Sequence, residues 1–385
     1  MKYYFLLGFL WCSSLLFAQE VVIKVTNPAP FDRPLETIEI PWVDVQNALH
    51  PASPDLVGVL INNQLMVSQT LDLDNNGTPE FLLFQFSFKK EETRYFSLIK
   101  LETQDTPEPC ALAMFMVPRE DVAWENDRIA YRIYGSARAG DVRSGLDVLV
   151  KRVRYPVLEK WYHADSLKGT GRISYHVDHG EGADFFTVGK SLGGGGCALW
   201  MNDSLIQSGL FTSHQIIANG PIRAMFTVSY EHDTLNGVPF VEEKTYTLDA
   251  GENLNKIDVH YTGLPDEKAM TVAIGLVKRK NVTFSSDEKE GWFSLWGLAN
   301  DDSANGDLST GVVIPGTSYR GAKTTADHYL MLSALSPDKR LTYYAGGGWS
   351  RGGFASEQEW QAYLAAFAQR VRYPLNISYT LNNNK

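Results

Sequence analysis

The feature that most constrains this chain is its succession of short strand signals broken at near-regular intervals by turn residues. Ile38-Glu39-Ile40, Ile257 to Tyr261 and Asn376 to Leu381 alternate apolar and polar side chains, the period of a half-buried strand. Phe81 to Phe88 is a denser apolar run, which predicts a strand covered on both faces. Arg223–Tyr230 and Val238–Leu248 flank Asn236-Gly237, a dipeptide suited to the left-handed turn of a two-residue hairpin, and Asp249 to Glu252 marks the next turn. Strands spaced in this way predict large antiparallel sheets rather than alternating β-α units. One helix is expected near the end of the chain. Ser356 caps it, Glu359 answers three residues later, Trp360, Leu364 and Phe367 form its apolar stripe, and Pro374 follows its end. No fixed-period repeat is visible, which disfavours propellers and solenoids.

Residues 1–18 read as a secretory signal: Lys2, an apolar stretch, then Ala18 as a small residue before the cut, so the chain is expected to be exported. A polar, proline-containing link at residues 105–109 divides an N-terminal β segment, 19–108, from a larger β-rich body, 109–385. With 35 Lys and Arg against 45 Asp and Glu the net charge is −10, which disfavours a nucleic-acid partner. No apolar run beyond the N-terminus is long enough for a membrane span. Cys110 and Cys197 remain in the mature chain, as two buried thiols or one disulfide. Asn202, Asn281 and Asn376 head Asn-x-Ser/Thr sites.

The densest polar segment runs from Tyr175 through His176, Asp178, His179 and Glu181 to Asp184, with Gly193–Gly196 close behind. Histidine supplies a base near neutral pH, carboxylates orient it, and glycines let backbone approach a ligand. In an extended segment Tyr175 and His179 share one face, while His176 and Asp178 share the other. The same residues also suit a polar loop whose acids cap turns. Arg128, Arg132 and Arg138 follow Glu125, and Lys151, Arg152 and Arg154 lie just before Trp161 and His163. Cations with aromatics in an acidic chain suit an anionic sugar: rings cover its apolar faces and guanidinium meets its carboxylate. Charge balancing on a solvated sheet face is the alternative. Trp349 and Arg351 sit in a glycine-rich loop that could face a ligand.

Asp72, Asp74, Asn76 and Gly77 match the first half of an acidic calcium loop, but Leu83 stands where its closing glutamate belongs. No spacing resembles a zinc site, and the phosphate-binding, dinucleotide and Gly-x-Ser-x-Gly motifs are absent, so no metal or cofactor is expected.

Glu125-Asn126-Asp127-Arg128, Tyr131 to Gly135, Lys151 to Trp161 and especially Tyr175-His176-Val177-Asp178-His179-Gly180-Glu181-Gly182 resemble the secreted family known as domain of unknown function 4861. That resemblance implies a mainly β chain: a large antiparallel, galactose-mutarotase-like β-supersandwich, here with the smaller N-terminal β segment and the C-terminal helix. It also implies a context of polysaccharide breakdown, notably of uronate-containing, pectin-like glycans. The expected partner is then an acidic oligosaccharide or polysaccharide, and the expected reaction is β-elimination. His176 or His179 would serve as base with His163 in reserve, Tyr175 as acid, and Arg128, Arg132 or Lys151 as neutraliser of the carboxylate. Trp161, Trp349 and Arg351 complete the expected binding surface. Two rival readings stand beside it. One is a glycoside hydrolase using Asp178, Glu181 and Asp184. The other is a non-catalytic glycan-binding protein that stacks sugars on Trp161 and Trp349.

Overall fold

The computed structural model describes residues 21–381 apart from 104–106, 118, 168, 236 and 266–269, so the expected signal segment lies outside the described residues. Its main body is a β-supersandwich. One layer is an eight-stranded antiparallel sheet, in spatial order Ser213–Ala218, Arg223–Leu235, Val238–Asp249, Leu254–Thr262, Arg340–Trp349, Asp307–Val313, Trp292–Leu298 and Val282–Asp287. The expected hairpin is present, with Leu235 pairing Val238 across the turn.

Two five-stranded sheets face this layer. The first orders Gly182–Ala183, Asp147–Lys151, Ile129–Ile133, Asp121–Glu125 and Leu112–Met116. The second orders Ser204–Ile206, Gly194–Met201, Thr271–Val277, His328–Ala334 and Tyr319–Thr324. Side chains from all three sheets, among them Trp124, Tyr131, Val148, Phe226, Ile274 and Tyr343, form one continuous core. Burial of that apolar area is the main stabilising contribution.

The helix Glu357–Arg372 packs Trp360, Leu364 and Phe367 against Trp292, Trp296 and Val313 of the eight-stranded sheet. Its start is as expected: the Ser356 hydroxyl accepts from the Glu359 amide at 3.3 Å, while the Glu359 carboxylate accepts from the Ala355 amide at 2.7 Å.

The N-terminal part builds a separate core from a five-stranded and a three-stranded sheet with the helix Trp42–Leu49. The strand Phe81–Phe88 is covered on both faces, Leu82 and Phe84 joining that core and Leu83 meeting Leu71 and Ile222. Gln69 binds this part to the main body, accepting from the Ile222 and Arg223 amides at 3.0 and 2.8 Å. The chain's last strand, Asn376–Leu381, returns to pair with its first, Val21–Thr26. Cys110 and Cys197 are free thiols. Among the described residues no helix is long and apolar enough to cross a membrane.

Candidate functional site

The outer face of the five-stranded sheet that begins at Leu112 carries the site. Arg132 projects from the strand Ile129–Ile133 and is almost wholly buried. Its guanidinium donates to Asp147 at 2.5 and 3.0 Å, to Asp184 at 2.8 Å and to the Tyr175 hydroxyl at 3.0 Å. Tyr134, two residues further along, donates its hydroxyl to Asp147 at 2.5 Å. A buried guanidinium is tolerated here because two carboxylates surround it. Burial opposes its charge, but Asp147 and Asp184 outweigh that and hold it firmly protonated.

Asp184 is carried out of the two-residue strand Gly182–Ala183, which lies against Asp147–Lys151. Burial, and then the negative charge of Asp147, push its carboxyl up to about 7, with Arg132 opposing. Its Oδ1 is buried and has no hydrogen-bond partner among the described residues. His176 Nδ1 lies 3.3 Å from both the carboxylate and the carbonyl oxygen of Asp184. This contact assigns the ring proton to Nδ1 and leaves the Nε2 lone pair available. Partial burial lowers the His176 pKa below its ordinary value, the Asp184 carbonyl opposing and the Arg132 charge adding to it. The imidazole is therefore neutral at pH 7.

Arg132, Tyr134, His176 and Asp184 line a cavity of about 430 Å³, together with Arg119, Arg138, Asp141, Phe185 and Phe186. Arg119 donates to the Tyr175 hydroxyl at 2.6 Å and to Asp165 at 2.5 Å. Three guanidinium groups, a neutral imidazole, a carboxyl of raised pKa and Asp141, 3.8 Å from Arg138, thus meet two phenyl rings in one hollow. That arrangement can bind an anion and move a proton beside it.

A second cavity, of about 490 Å³, opens on the other side of the Tyr175–Gly182 segment and is lined by Tyr155, Lys160, Trp161, Val177, His179 and Glu181 among others. Glu181 accepts from Tyr155 and Lys160 at 2.7 Å each and from the Trp161 indole at 3.2 Å. Burial alone would raise its pKa, but those three donors hold it below the ordinary carboxylate value.

The expected residues are thereby divided. The Tyr175–His179 segment is irregular rather than extended, yet Tyr175, Val177 and His179 line the second cavity while His176 lines the first. His176 pairs with Asp184, not with Asp178. Tyr175 turns its ring toward the second cavity and its hydroxyl toward Arg119 and Arg132, away from direct exposure. Asp178 is a turn-former, accepting from the Gly180 and Gly182 amides at 2.8 and 3.1 Å and pairing with Arg152. His179 is exposed on the second cavity, and His163 is exposed on its helix and lines neither.

Lys151, expected to meet a substrate carboxylate, is wholly buried, donating to Glu125 at 2.5 Å and to the Asn126 carbonyl at 2.7 Å. Glu125 also accepts from the Val157 and Leu158 amides, which caps the helix Leu158–Ser166 from a neighbouring strand. Arg128 sits beyond the opposite end of its strand from Arg132, beside Asp127, and lines a different hollow near Gly251. Trp349 is buried, its indole donating to the Asn305 carbonyl at 2.7 Å and its face covered by Arg152 and Arg351. It offers no open stacking surface. Trp161 is largely buried but borders the second cavity.

Residues 25–377 match the family described as "Domain of unknown function (DUF4861)". The chain belongs to that family. A relative within reach of sequence comparison, "Uncharacterized protein P7" of Formosa agariphila, is 30% identical over 381 residues and the match covers 93% of each chain. Among solved structures, a protein in the glycosyl hydrolase family 38 from Enterococcus faecalis superposes with a TM-score of 0.47 at 10% identity. The match covers 94% of this chain and 48% of that one. An alpha-mannosidase from Enterococcus faecalis V583 gives 0.46 at 8% identity, covering 94% and 46%. The chain spans about half the length of these solved structures.

In this DUF4861 protein, Arg119, Asp147 and Asp165 are site residues that the sequence did not single out, and Tyr134 stood out there only as part of the Tyr131–Gly135 motif. Asp147 carried a signal: it stands alone between Leu146 and the apolar Val148-Leu149-Val150, where a charge needs a buried partner. The structure also gives the Asp72 loop a third carboxylate. Glu80, not residue 83, brings its oxygen within 4.8 Å of those of Asp72 and Asp74.

Proposed function

We propose that this protein is an exported carbohydrate-active enzyme that cleaves uronate-containing, pectin-like oligosaccharides by β-elimination in the His176 cavity. The observation that carries this reading is the convergence of a neutral His176, oriented by Asp184, with Arg119, Arg132 and Arg138 on one hollow. Arg138, half-buried and only loosely paired with Asp141 at 3.8 Å, would hold the uronate carboxylate, with Arg119 beside it anchored by Asp165 and Tyr175, while Arg132 is enclosed by Asp147 and Asp184. His176 Nε2 removes the proton on the carbon next to the carboxylate. The electron pair passes into the enolate, which the guanidinium charges stabilise. The bond to the leaving oxygen then breaks, a carbon–carbon double bond forms, and the imidazolium returns its proton to that oxygen. Asp184 keeps the Nδ1 proton in place throughout. Phe185 and Phe186 supply apolar surface for the C–H face of the ring.

The hydrolase alternative finds less support. Its three acids do not share a cleft: Glu181 faces the second cavity, Asp184 the first, and Asp178 is committed to Arg152 and two amides.

The test is to incubate the protein with a panel of acidic plant and algal oligosaccharides and weigh the products by mass spectrometry, reading ultraviolet absorbance in parallel. Elimination gives fragments whose masses sum to that of the substrate, with new absorbance from the conjugated double bond. Fragments heavier by one water would overturn it in favour of hydrolysis. Binding with no product from any substrate would leave a glycan-binding protein. His176→Ala is expected to lower kcat/KM by about 10²–10⁴-fold, the usual scale of a positioned general base.

A further inference from the structure

The His176 cavity is walled almost entirely by residues between 119 and 189, with one exception: Asn300 enters it from the eight-stranded sheet. Asn300 follows the strand Trp292–Leu298, in the sequence Leu298-Ala299-Asn300-Asp301-Asp302. The Asp302 amide donates to the Ala299 carbonyl at 3.1 Å, and the two central residues, Asn300 and Asp301, have φ of 52° and 55°. Two consecutive left-handed residues define a tight turn that glycine fits best and that asparagine and aspartate tolerate. Here the chain places an asparagine, exposed, at the tip. Among the described residues its carboxamide makes no hydrogen bond within the protein.

The turn is held firmly. Arg279 donates to the carbonyls of Leu298 at 3.1 Å and Leu308 at 2.8 Å, the strand residues on either side of it. The same guanidinium lies 5.6 Å from the ring of Phe186, a wall of the cavity. The tip of one sheet and the wall of the other are thus fixed relative to each other through one side chain.

We infer that Asn300 is a specificity-determining residue that reads the hydroxyl configuration of the sugar ring in the His176 cavity. The identification of a sugar there rests on the reading proposed above. The rest of the lining presents guanidinium donors and an imidazole, suited to a carboxylate and a proton. A carboxamide carries a donor and an acceptor on one rigid plane, which matches a pair of neighbouring hydroxyls. A site that hydrogen-bonds a substrate hydroxyl discriminates against the ring that lacks it in that position.

Asn300→Gly removes the carboxamide while supplying the residue the turn favours, so its melting temperature should not fall. The probes are β-1,4-linked tri-mannuronate and tri-glucuronate, which differ only in the configuration of the free 2-hydroxyl of each ring. With turnover in the parent protein, Asn300→Gly should raise KM for the preferred trimer about tenfold, one hydrogen bond's worth. Its kcat should stay within about twofold, and the preference between trimers should narrow. Unchanged KM and preference would overturn the assignment while leaving elimination standing. If the parent turns over neither trimer, calorimetric affinity becomes the readout. A tenfold loss of affinity with loss of preference would then support Asn300 although elimination fails. Equal affinities in both proteins, or binding of neither trimer to the parent, would overturn it.

Discussion

Arg132 is held by five side-chain hydrogen bonds, and its neighbours owe their chemistry to it. Asp184 would be an ordinary carboxylate in water. Buried beside Asp147, it keeps its proton up to about pH 7 despite Arg132. A raised carboxyl pKa means that the folded state retains a proton which the unfolded chain releases near pH 4. Folding stability therefore falls as pH rises from about 4 to about 7, and Asp184→Asn should remove that portion of the slope. Urea titrations of both proteins at the two ends of this window check the point; parallel slopes would refute it. His176 behaves oppositely. Its pKa is lowered, first by burial, so the unfolded chain takes up a proton before the folded one, and its contribution is lost as pH falls. For the proposed reaction, kcat/KM should climb with pH through an apparent pKa below 6.5 and then level. A profile whose rising limb lies above pH 7 would exclude His176 as the base.

At the scale of single elements, the site depends on a strand of two residues. Gly182 has φ of 130°, and an added Cβ would overlap the Val150 carbonyl and lie 2.8 Å from the Lys151 Cα. Gly182→Ala should push that strand off Asp147–Lys151, displace Asp184 and cost about 1–3 kcal/mol, the usual scale of overpacking. Urea unfolding measures the cost, and the activity loss should exceed what stability alone explains. Elements governed by local chemistry were legible in the sequence: the Ser356 cap, the stripe of Trp360, Leu364 and Phe367, and the hairpin joining Leu235 to Val238. The segment Tyr175–His179 was legible as polar, with a loop whose acids cap turns as one of two readings; the choice between them was not, because the turn is set by Asp178 meeting Arg152 and two amides. Lys151 looked like a free cation for an equally non-local reason. Its partner, Glu125, lies two strands away in the sheet. Charge type can be read along a chain, whereas whether a charge is already paired depends on strand order.

The whole molecule raises the same difficulty at greater distance. That the strands would form large antiparallel sheets followed from their period, but the pairing of Asn376–Leu381 with Val21–Thr26 joins residues about as far apart as the chain allows. No local pattern encodes such a register, since alternation fixes only which face is buried. The pairing has a mechanical consequence. Val21–Thr26 is an interior strand only because the last strand flanks it; on its other side lies Thr93–Lys100. Arg33, buried in the same N-terminal part, donates to the Tyr373 carbonyl at the end of the last helix. Deleting residues 374–385 should therefore turn Val21–Thr26 into an exposed edge with unpaired backbone groups. Ile23 and Val25, both fully buried, would lose cover with it. The supersandwich core shares few of these contacts. Hydrogen exchange should quicken in 21–26 and 93–100 while Asp147–Lys151 and Ile129–Ile133 keep their protection, and turnover should persist. Uniform loss of protection across both regions would instead show that the N-terminal sheets and the site unfold as one cooperative unit.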